Sequence, residues 1–123
     1  MLGKFGLAAA ALLISAAPAL AASPCDEPYA PAALDGSKAT ADQMKSAHGD
    51  VMTFMKASDD YQSCLLDDLK NQQQAAAKAK DPKPLDPSIE AGVNKKVDAN
   101  QRMKEKVGAE FNAAVIAYKA AHP

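Results

Sequence analysis

The chain has no tryptophan, and only three phenylalanines and three tyrosines among its 123 residues. Aromatic side chains bring the most apolar area per residue, so their scarcity excludes a wide core. It favours long helices that share a narrow seam. An excess of charge is also missing. Fourteen basic residues face fifteen acidic ones, for a formal net charge of −1. Such a balance lacks the basic footprint of a nucleic-acid binder, so no nucleic acid is expected as a partner. The chain has no glycine-rich phosphate loop, no Cys-x-x-Cys and no His-Glu-x-x-His. Its two histidines, His48 and His122, stand far apart in the sequence. No nucleophile with a neighbouring base can be assembled from them, so no catalytic residues and no cofactor are expected. An enzyme of any type ranks last among the readings.

What is present begins with a leader. Lys4 precedes an apolar stretch from Phe5 to Ala17, Pro18 ends it, and Ala19-Leu20-Ala21 offers small residues to a signal peptidase. Residues 1–21 are expected to be a cleavable signal peptide, cut after Ala21 or Ala22, making the protein periplasmic or secreted. The apolar stretch is shorter than the roughly 20 residues that span a bilayer, so no stable membrane anchor is expected. Pro24 directly before Cys25, with no leucine three residues ahead of that cysteine, disfavours lipid attachment. No arginine pair marks a twin-arginine route.

Residues 22–39 contain Pro24, Pro28, Pro31 and Gly36. Proline fixes φ and restricts its predecessor, so this stretch reads as an extended arm ending in a turn. Thr40-Ala41-Asp42-Gln43 then matches a helix capping box. Beyond it, Met44, Ala47, Val51, Phe54, Met55, Ser58, Tyr61, Leu65, Leu69, Gln72 and Ala76 recur at steps of three and four, the helical signature. Pro82 and Pro84 break the pattern, and Asp86-Pro87 restarts it with a capping carboxylate and a proline in the first turn. A second seam runs through Ile89, Val93, Val97, Asn100, Met103, Val107, Phe111, Ala114, Val115 and Tyr118. Asp98 and Arg102 are placed to pair outside it. Helices are expected at about 41–80 and 87–121. The expected class is therefore all-α: residues 40–123 form an antiparallel, coiled-coil-like two-helix hairpin. Straight helices of this length leave no deep cleft. Asn100 in the seam is a candidate for fixing register.

The two cysteines of the exported part, Cys25 and Cys64, are expected to form a disulfide. The bridge ties the arm back to the first helix, with Tyr29 and Leu34 covering part of the groove. In the chain-entropy account it contributes about 4 kcal/mol, a large share for so thin a core.

One row of residues invites a ligand. Met44, His48 and Met52 stand at i, i+4 and i+8, with Met55 beside them. Thioethers and imidazole suit Cu(I), so a periplasmic Met/His copper-binding protein is the alternative reading. Against it, i and i+8 lie about 12 Å apart along a helix, and methionine is a common flexible core filler. Asp59-Asp60 and Asp67-Asp68 read as a solvated face, because consecutive helical residues diverge. The leading expectation is an exported, non-catalytic helical protein acting by protein–protein interaction, through self-association, an envelope partner or a chaperone-like client.

Overall fold

The computed structural model describes residues 25–123. The expected signal peptide, its cleavage site and the first residues of the arm lie outside them. Two helices, α1 (Ala41–Lys78) and α2 (Pro87–Ala121), make up 74% of the described residues, among which there is no strand. Their 38 and 35 residues correspond to lengths of about 57 and 52 Å.

Each helix starts where its capping residues dictate. The Thr40 hydroxyl accepts from the Gln43 amide at 3.2 Å, while the Thr40 amide donates to Gln43 Oε1 at 2.8 Å. That closes a reciprocal capping box on two otherwise orphaned donors. At α2, Asp86 accepts from the Ser88 amide at 2.9 Å and Pro87 fills the first helical position. The amide holds the Asp86 carboxyl below the usual carboxylate range. α1 ends at Lys78, short of the expected residue 80. Ala79 already adopts ψ 156°, the extended geometry that leads the chain into the proline-bearing connection.

The two seams meet through residues whose order is opposite on the two helices. Toward the start of α1, the His48 ring lies 5.8 Å from that of Phe111, near the end of α2. In the middle, Ser58 meets Asn100. Further along α1, Tyr61 and Leu65 cluster with Cys25 and Cys64, and with Val93 and Val97 from the early part of α2. Phe54, Tyr61, Leu65, Leu69, Val107 and Ala114 are the buried helical apolar residues. Even so, among the described residues the only side chain with under 2% exposure is Ser58. This is the thin core that the aromatic poverty implied.

One seam residue departs from expectation. Met103 is exposed, and Lys104 takes the inner position, with only 19% of its side chain accessible. The 3.6-residue turn drifts against a strict seam, which rotates position 103 outward. The Lys104 stem lies along the seam while its ammonium reaches Asp59 of α1. The expected Asp98–Arg102 pair does not form. The ion pairs within the helices are Lys56–Asp60 and Lys106–Glu110.

A polar layer interrupts the middle of the seam. Asn100, 2% exposed, donates from Nδ2 to Ser58 Oγ at 3.2 Å and accepts at Oδ1 from Gln62 Nε2 at 2.8 Å. No buried side-chain polar atom among the described residues lacks a partner. Shifting either helix by a turn would strand these groups against apolar neighbours, at a cost of roughly 1–3 kcal/mol for each unsatisfied group. The layer therefore penalises alternative registers.

Candidate functional site

The segment Cys25–Thr40 carries no helix or strand, and it is attached to the helices at two places. At its start, Cys25 is bonded to Cys64 with the two Cα atoms 5.7 Å apart, and Cys25 is itself buried. At its other end, a turn at Gly36–Lys38 is closed by Asp35, which accepts from the Ser37 amide at 3.0 Å and the Ser37 hydroxyl at 2.6 Å. These two bonds, with Lys38 nearby, hold the Asp35 carboxyl below its ordinary range. Gly36 presses against α2 so closely that a Cβ there would lie 1.8 Å from the Ala114 carbonyl oxygen. Only glycine allows that backbone approach. Ala39 next to the turn is buried as well.

Between these attachments the segment bridges a half-open pocket of about 700 Å³. Pro28 to Leu34 form its roof. α1 supplies Ala47, Asp50, Val51, Phe54 and Ala57, and α2 supplies Val107, Glu110 and Phe111. The volume is within the range of small-molecule sites. Straight helices alone are expected to leave no deep cleft; the segment laid across them adds this half-open pocket. Leu34 and Tyr29, both expected to cover part of the groove, line the pocket, Leu34 half-buried and Tyr29 97% exposed.

The Met/His row takes up separate surroundings. Met44 is half-buried, His48 packs on Phe111, Met52 is 55% exposed, and the Met55 methyl lies over Gly108, 3.6 Å from where a Cβ would stand. Gly108 therefore makes only ordinary contact, and Gly49 faces open space. Neither is a point of close backbone approach. His122 stacks on Tyr118 at the end of α2, well away from His48.

The acidic pairs border a shallow groove beside the disulfide, lined by Asp60, Ser63, Cys64, Asp67, Asp68 and Asn71. Asp59 is engaged by Lys104, Asp60 by Lys56 and Asp68 by Gln72. Among the described residues, no three His, Cys, Asp or Glu side chains are placed to hold a metal ion. No helix among them is long and apolar enough to cross a membrane.

Two structural features carry no signal in the sequence. Gly36 reads as an ordinary turn glycine, since the α2 backbone it touches is 78 residues away in sequence. The pocket has no sequence signal beyond the run of Pro and Ala in its roof. No family model, curated protein or solved structure matches the chain.

Proposed function

We propose that this chain is an exported, non-catalytic interaction protein: an antiparallel, coiled-coil-like hairpin strapped by a disulfide-tied N-terminal arm, which acts through contacts of its helical surface with protein. Its compartment is the periplasm or the exterior, reached through cleavage after Ala21 or Ala22. The observation that carries the reading is Ile116, 70% exposed on α2 although its neighbours Ala114 and Val115 turn inward. Leu66 on α1 is similarly exposed, at 47%. Burial of either side chain against a partner would recover about 25 cal/mol for each Å² covered.

The test is site-specific photocrosslinking of the full chain, expressed with its own leader in its native host. A photoreactive residue at 116 or 66 should give discrete protein adducts, and the same residue at the exposed polar position Lys95 should not. An adduct of twice the chain mass identifies self-association, and other masses identify an envelope partner or clients. No adduct at 116 or 66 above the position-95 control would sink the reading.

A further inference from the structure

We propose that the pocket beneath the Cys25–Thr40 segment binds a small organic cation, one with a short apolar body and an ammonium head. Most of the lining side chains are apolar, Leu34, Phe54 and Phe111 among them, and Gln43, Ser46 and Thr53 are neutral polar members. Among the described residues, the charged ones lining the pocket are Asp50 and Glu110, both acidic and one from each helix. They stand at nearly the same level. His48, two residues before Asp50, packs on Phe111, the residue next to Glu110. The Asp50 side chain makes no ion pair or hydrogen bond with another described residue, and the Glu110 side chain shares a single ion pair, with Lys106.

This combination selects by charge. A carboxylate or phosphate ligand would face the Asp50 carboxylate, with no cation among the described lining residues. A neutral apolar ligand would take water from both carboxylates and return nothing. An ammonium group answers Asp50 and can share Glu110 with Lys106, and phenylalanine rings attract cations in addition. The pocket holds no nucleophile paired with a base, so the ligand would be held rather than transformed. A ligand of this kind lies beyond the protein-contact reading and does not depend on it.

The test uses the full mature chain, titrated with hexyltrimethylammonium and followed by amide chemical shifts. Hexanoate and hexanol serve as controls matched in chain length. Saturable shifts confined to the residues around Leu34, Asp50, Phe54 and Phe111 are expected with the cation alone. The double variant Asp50→Asn/Glu110→Gln should bind about tenfold more weakly, on the scale of lost surface ion pairs, with Phe54 and Phe111 left in place. Both side chains lie at the surface or its margin, so helix content by circular dichroism should be unchanged. Equal binding of hexanoate or hexanol, shifts elsewhere on the helices, no saturation at millimolar concentration, or an unweakened double variant would each overturn the proposal. Crosslinking at 116 and 66 is untouched by any of these outcomes, so the two ideas fail separately.

Discussion

The two ends of the Cys25–Thr40 segment are held to the helices by different physics. At Cys25 the attachment is covalent and packed into apolar surroundings, against Tyr61, Leu65, Val93 and Val97. At Gly36 it is steric: one backbone lies on another, with room for a hydrogen but not for a carbon. The first kind of anchor tolerates imperfect packing, because the bond restricts the unfolded chain whatever the fit. The second depends wholly on fit and vanishes with one added atom. Between two such anchors the chain can span empty space, and here that space is the pocket.

Removing the covalent anchor should have the largest effect. Cys25→Ala/Cys64→Ala should lower the unfolding free energy by about 4 kcal/mol, the loop-closure contribution expected for a bridge of this sequence separation. Urea denaturation checks it. An unchanged midpoint would show that the segment lies where it does without the bond.

The steric anchor is next. Gly36→Ala should destabilise by about 1–3 kcal/mol, as overpacking does, because backbone must move to admit the methyl. Gly49→Ala is its counterpart. That position is helical with nothing near the new Cβ, so the substitution should stabilise by up to about 1 kcal/mol. Thermal melts of the two single variants should therefore move in opposite directions. A shift of the same sign in both would remove the distinction between these glycines.

The smallest effect is a pH dependence confined to the covalent end. Burial, and secondarily the Glu27 carboxylate, raises the Tyr61 phenol above its ordinary pKa of 10.0. The neutral form is thus favoured in the fold. Its contribution is fully present below pH 10, and it declines above that as the unfolded chain ionises first, until the folded pKa is reached. Tyr61→Phe should flatten this alkaline decline while leaving the neutral-pH dependence alone. Denaturation midpoints measured from pH 8 to 11 decide it, and parallel curves for the two proteins would refute the assignment.

Much of the architecture was legible because it depends on neighbours in sequence. The capping box at Thr40, the proline entry to α2 and the three-four spacing of α1 are local, and every α1 seam residue from Met44 to Ala76 is buried or half-buried. The α2 seam was legible except at Met103, where helical drift brings in Lys104. Asn100 was readable as a seam polar residue, but its partners Ser58 and Gln62 were not, since they are about forty positions away. The bridge between Cys25 and Cys64 followed from counting, as only those two cysteines exist.

What the sequence determined by itself was therefore helix, cap, break and disulfide pairing, each governed by rotations within a few residues or by simple arithmetic. What only the tertiary structure decided was Gly36 against Ala114, Lys104 against Asp59, and the cavity left under the roof of Pro28 to Leu34. A void is set by the separation of three chain segments to within an ångström or two. No local pattern encodes that separation, because it emerges only when both anchors and both helices are in place.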